Sequence, residues 1–111
     1  MGYAIRSEVY FATDLANKYN KSIRIKIGET TNHCRRHRQL DLWITRAVEV
    51  GGDKSYRQWV ESCLRLYIAR NYDCELIGTD TFLLKHREDS NKIENIFCDL
   101  VEKIVTNQLQ F

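Results

Sequence analysis

"IRIKIGETTNHCRRHRQL", Ile23 to Leu40, sets out a strand, a bend and a short basic helix in eighteen residues. Ile23, Ile25 and Ile27 alternate with Arg24 and Lys26, the period of a half-buried strand with its isoleucines on the core face. Gly28 follows and permits a bend or a close backbone approach. Thr30, Thr31 and Asn32 offer N-cap candidates for a helix running to about Leu40. That helix carries His33, Arg35, Arg36, His37 and Arg38. Between Lys21 and Arg38 stand six Lys or Arg and one acid, Glu29, while the whole chain carries only +2. The rest of the chain is therefore net acidic. One basic patch on an acidic background points to a localised anion site rather than a diffuse polycation.

Outward from this stretch the pattern stays regular. Glu8–Thr13 (EVYFAT) alternates and is rich in β-formers, so a strand is expected there. Residues 14–22 are polar and Asn-rich and read as a connecting loop or wide hairpin turn. Leu42–Val50 predicts a third strand, broken by Gly51-Gly52-Asp53. From Ser55 to Asn71, Tyr56, Trp59, Val60, Cys63, Leu64, Tyr67 and Ile68 recur at helical spacing. Thr79–Lys85 predicts a short strand or extended segment. Ser90 is a candidate cap for a last helix whose stripe is Ile93, Ile96, Phe97, Leu100, Val101 and Ile104. The order β-β-α-β-α-(β)-α predicts a single α+β domain over residues 1–111, with a small antiparallel three-stranded sheet flanked by helices. Trp43 and Trp59 are assigned to the core. The tail with Leu109 and Phe111 packs on that core or makes a dimer contact.

Composition narrows the class. At 111 residues, 43% hydrophobic and 29% charged, the chain suits one globular domain with one core. No apolar run reaches the length of a membrane span. The N-terminal MGYAIRSEVYF lacks an apolar h-region, and Arg6 stands where a myristoylation motif wants Ser or Thr. Cys34, Cys63, Cys74 and Cys98 contain no CxxC pair. Reduced thiols in a cytoplasmic protein are the expectation, rather than a zinc site or a disulfide framework.

Strand alternation sorts the candidate residues. Val9 and Phe11 should face the core, leaving Glu8, Tyr10 and Ala12 on the opposite face, where Tyr10 shares a surface with Arg24 and Lys26. The helix start after Gly28 brings Arg35 or Arg36 to its edge. Such an arrangement suits a phosphodiester. Glu61 lies at the boundary of the second helix's apolar stripe. Arg57 and Arg65 stand four residues to either side of it, so Glu61 is either a groove carboxylate or the hub of a surface ion-pair network.

Taken in order, these residues resemble the GIY-YIG nuclease family, and within it the phage and mobile-element branch. Lys26-Ile27-Gly28-Glu29-Thr30-Thr31-Asn32, followed by Arg35-Arg36 and Gln39-Leu40, is similar to the second motif of that branch. Val9-Tyr10-Phe11 stands at the place of the first motif. The helix VESCLRLYI resembles the later helix that carries the family's metal-binding glutamate, and DTFLL resembles the extended segment after it. The resemblance covers about residues 8–85. It implies single-metal phosphodiester hydrolysis. Glu61 would hold one Mg²⁺ or Mn²⁺, Arg36 would clamp the phosphate, and Tyr10 would orient or deprotonate the attacking water. Lys26, where many relatives carry a second tyrosine, would lower the pKa of Tyr10. Arg24, His33, Arg35, His37 and Arg38 would be nucleic-acid contacts.

Two functions of different class follow. One is a metal-dependent endonuclease acting on nucleic acid, DNA foremost, either of low specificity or completed by a partner subunit or homodimerisation. The other is a catalytically silent module that binds nucleic acid or a protein partner. Glu8 in place of the first motif's glycine, and Leu40 where a histidine often follows the arginine, favour the second.

Overall fold

β1 (Glu8–Thr13) and β2 (Ile23–Thr30) form the centre of one antiparallel sheet. The computed structural model describes residues 7–14 and 21–108. Most of the expected 14–22 loop, the N-terminal cue and the Leu109–Phe111 tail lie outside those residues. After β2 come α1 (His33–Gln39), β3 (Trp43–Glu49), α2 (Lys54–Asn71), β4 (Cys74–Leu76), β5 (Thr81–Leu84) and α3 (Glu88–Val105). The sheet has five strands in the order β3-β1-β2-β5-β4, every neighbouring pair antiparallel. The expected three-stranded sheet is thus corrected to five. The 79–85 segment pairs with β2, and a three-residue strand, β4, adds to it as the outer edge.

Burial follows the isoleucine alternation. Val9, Phe11, Ile23, Ile25 and Ile27 point to the face covered by α2 and α3 and join Val60, Leu64, Ile68, Ile93, Phe97 and Val101 in one core. Each such side chain contributes about 1.5–3 kcal/mol by leaving water. Phe11 meets Phe97 with ring centroids 6.1 Å apart, which ties β1 to α3. The opposite face carries a smaller cluster, Tyr10, Ala12 and Leu42, with Leu40, Ile44 and Ala47 against it. β3 is bulged between Ile44 and Arg46, so Thr45 is the extra residue.

Three packing expectations are corrected. Trp43 and Trp59 are not core: they are 54% and 45% exposed. The buried face of α2 is Arg57, Val60, Glu61, Leu64 and Ile68, so the helix is rotated away from Trp59 and towards two charged residues. Ser90 does not cap α3. The helix begins at Glu88, with Glu88 and Asp89 answering its dipole in the first turn. Ser90 is instead buried, its hydroxyl 3.0 Å from that of Thr13.

Candidate functional site

β5 is shorter than the strand it pairs with. Its ladder covers Ile23 to Lys26, and the Ile27 N–H donating to the Asp80 carbonyl at 3.2 Å is the last link. From Gly28 to Thr30 the outer edge of β2 has no strand beside it among the described residues. Side chains from both faces of the sheet can reach this opening.

Tyr10 and Gly28 are cross-strand partners. The phenol lies directly over the glycine: a Cβ at position 28 would collide with the ring's Cζ and hydroxyl and come within 2.6 Å of Cε2. Gly28 therefore serves a close approach of a side chain rather than a bend. Beyond it, the Asn32 N–H donates to the Thr30 hydroxyl at 3.0 Å, and the Asn32 side chain accepts from the Arg35 N–H at 3.0 Å. That cap fixes the start of α1 against the end of β2. Arg36, one turn on, is half-buried. Its charge lowers the pKa of the Tyr10 phenol, and its guanidinium has no carboxylate partner among the described residues. Thr30, Thr31, Asn32, Arg35, Arg36 and Gln39 line a polar pocket of about 270 Å³.

Glu61 approaches from α2, only 8% exposed. Arg65 donates to its Oε1, and no described residue bonds the other oxygen. Burial raises the Glu61 pKa; Arg65 opposes this, and the charges of Asp80 and Glu29 add to the rise. The Tyr10 phenol is also raised, first by burial, against the pull of Arg36 and with further push from Asp80, Glu61 and Glu29. Tyr10, Arg36 and Glu61, which lie far apart in sequence, thus act electrostatically on a common region.

Two expectations for Tyr10 are overturned. It is not on an open surface: it packs with Ala12 and Leu42, with Leu40, Ile44 and Ala47 against the cluster, and is 1% exposed. Nor does Lys26 make it acidic. The Lys26 ammonium is taken up by Asp80 at 2.8 Å, and burial outweighs the cation that does act on the phenol, Arg36. The phenol is protonated at neutral pH and offers a hydrogen-bond donor.

The remaining basic residues divide. Arg24 is engaged by Asp14 at 3.3 Å and Asp41 at 3.1 Å. His33 lies 3.7 Å from the Glu8 carboxylate, and its ring is parallel to that of His37 with centroids 6.3 Å apart. His37 Nδ1 accepts from the Ile44 N–H at 3.4 Å, and its ring meets Trp43 edge-on at 5.3 Å. Arg35 and Arg38 are exposed and have no acidic partner among the described residues. Two residues of the site escaped the sequence reading, Asp80 and Glu29. Glu29 is the single acid in the basic stretch, a signal in itself, and Arg57 holds it at 2.8 Å. Nothing local distinguishes Asp80 in its turn.

For a divalent ion, no cluster of three His, Cys, Asp or Glu forms a ready cage among the described residues. What remains is one buried carboxylate, Glu61, with an oxygen that no described residue bonds; Asp80 and Glu29, whose charges also act on it, are held by Lys26 and Arg57. A Mg²⁺ ion there would rest on Glu61 alone, with waters or substrate phosphate completing its shell. All four cysteines are free thiols, and no described helix is long and apolar enough to cross a membrane. No family model matches the chain, and neither a curated protein nor a solved structure is significantly similar to it.

Proposed function

We propose that this chain is a GIY-YIG-like, metal-dependent endonuclease that hydrolyses phosphodiester bonds in DNA. The observation that carries the reading is Arg36: a half-buried guanidinium without an acidic partner among the described residues, acting on the Tyr10 phenol on which the Glu61 charge also acts. An unpaired cation at such a place costs the fold solvation and is understood most simply as the seat of an anion. The order of the motifs, from Val9-Tyr10-Phe11 through Lys26-Ile27-Gly28 to Glu61, supports the family assignment.

Each residue then has a task. Arg36 binds a non-bridging phosphate oxygen and the charge that grows on it. Arg35 borders the same pocket and adds a second cation. Tyr10, protonated and buried, orients the attacking water by donating or sharing one hydrogen bond; its raised pKa makes it a weak general base. Lys26 and Asp80 hold one another, fixing the last turn before β5 against β2. Glu61 is the ligand for one Mg²⁺ or Mn²⁺, which would supply charge stabilisation at the leaving oxygen. A second reading, a silent module that keeps the phosphate pocket alone, is favoured by the pairing of Glu61 with Arg65, Lys26 with Asp80 and Glu29 with Arg57.

Supercoiled plasmid incubated with the protein and Mg²⁺ or Mn²⁺ separates the two. Nicking that requires the ion and is lost in Arg36→Ala and Glu61→Gln supports the nuclease. Inert wild type that still binds DNA, with binding weakened only in Arg36→Ala, leaves the silent module. Neither cleavage nor binding overturns both.

A further inference from the structure

We propose that α1 and β3 carry a second subsite, which stacks an unpaired nucleobase of the single-stranded DNA whose phosphate is bound at Arg36. It rests on the phosphate reading given above and extends it to the kind of strand the site prefers. Trp43 opens β3 with 54% of its surface exposed, although its strand was expected to bury it. Its indole is not loose: the His37 ring meets it edge-on, 5.3 Å away at 67°. His37 is itself anchored, because Nδ1 accepts the Ile44 N–H, the residue next to Trp43. His33 continues the array, its ring plane within 8° of that of His37. Three rings thus run along one side of α1 towards the start of β3 and leave the indole open to solvent.

The surroundings decide what such an aromatic surface would meet. Arg35, Arg36 and Arg38 share α1 with the two histidines and have no acidic partner among the described residues. The nearby acids are already engaged, Glu8 with His33 and Asp41 with Arg24. An exposed indole amid unpaired arginines suits a polyanion that also presents flat π-faces, which is a nucleic acid with unstacked bases. A continuous duplex keeps those faces inside its own stack and would engage only the arginines. Every base has a π-face, so the subsite would be tolerant of sequence. Arg36 and His37 are consecutive on α1 but about 100° apart around its axis, so a base on Trp43 and a phosphate at Arg36 would belong to different positions along the strand.

The chain has two tryptophans, Trp43 and Trp59. Trp59 is exposed on α2 beside Tyr56, so Trp59→Phe leaves Trp43 as the sole indole reporter. That variant is titrated in EDTA with an oligothymidylate of about ten nucleotides and with a hairpin duplex, following indole emission and anisotropy of labelled DNA. Stacking predicts tighter binding of the single strand and quenching of Trp43. Trp43→Ala in the wild-type background should weaken single-strand binding about tenfold or more, with Trp43→Phe keeping most of it. Unchanged affinity in Trp43→Ala, its fold checked by circular dichroism, overturns the subsite, as does binding without a change in Trp43 emission. If duplex binding survives and is lost in Arg36→Ala, the phosphate reading stands without the subsite. Failure to bind either oligonucleotide removes both.

Discussion

Gly28 and Tyr10 share a space that admits only one of them as a side chain of any size. Alanine at 28 would force the phenol out of its place or shift β2, and overpacking of this kind costs about 1–3 kcal/mol. Urea denaturation should show that loss for Gly28→Ala, and much less of it when Tyr10→Ala is already present. Additive losses would mean that the two residues do not compete. Glu61 makes the opposite prediction. Its pKa is raised, so the folded state holds that proton more tightly than the unfolded chain, and the ionised form is a burden at neutral pH. The burden is relieved as the pH falls through the folded pKa towards the unfolded one. Glu61→Gln should therefore melt at or above the wild-type temperature near pH 7 and lose that advantage in acid. A lower melting temperature at pH 7 would show that the Arg65 pair is worth more than burial costs. At this scale the sequence singled out Tyr10, Arg36 and Glu61, whose charges act on one region, but showed neither the burial of Tyr10 nor the direction of its pKa shift. It was unreadable where the structure exchanges one residue for another: α2 buries Arg57 and Glu61 and turns Trp59 out, and apolar spacing alone cannot show such a rotation.

Among the elements, α1 is the most dependent on local chemistry. It has seven residues, none of them buried, and no acid in its first turn, so its start relies on the Asn32 cap. Asn32→Ala should cost about 1 kcal/mol and, by loosening the helix that carries Arg35 and Arg36, weaken binding of a phosphodiester probe more than global stability. Comparison of hydrogen exchange in α1 with exchange in α2 checks this; equal effects on both helices would sink it. The strand, the cap and this helix were legible because each has its own local signal, alternation or a capping side chain. β4 was not. Three residues carry no period, and Cys74–Leu76 is a strand only because Thr81–Leu84 lies beside it. α3 was placed correctly by its apolar stripe, yet its cap falls three residues early, at Arg87, since Ser90 spends its hydroxyl on Thr13 rather than on the helix end.

For the molecule as a whole, one sheet and one principal core imply one cooperative unfolding transition. Circular dichroism and tryptophan emission should report coincident urea curves, and separated midpoints would reveal parts that melt independently. Binding to single strands should have a slope of about −2 in log K against log salt, if Arg35, Arg36 and Arg38 are the phosphate contacts. A slope near zero would exclude a phosphate-led interface. The class of fold and the antiparallel β1–β2 pair could be read from short connections and alternation. The place of β5 beside β2 could not, because it depends on pairing between residues more than fifty positions apart.

That placement has a consequence of its own. β2 runs on past the point where β5 begins, and by ladder alternation the Glu29 N–H points the same way as the Ile27 N–H that Asp80 accepts. The opening is thus measured out by the β4–β5 turn, as a curtain stops short of a window. Were residues 78–80 to carry the ladder two steps further, backbone would fill the gap and the site would close without any change to Tyr10, Arg36 or Glu61. Insertions in that turn would then trade access for cohesion: a quieter protein, and a sturdier one.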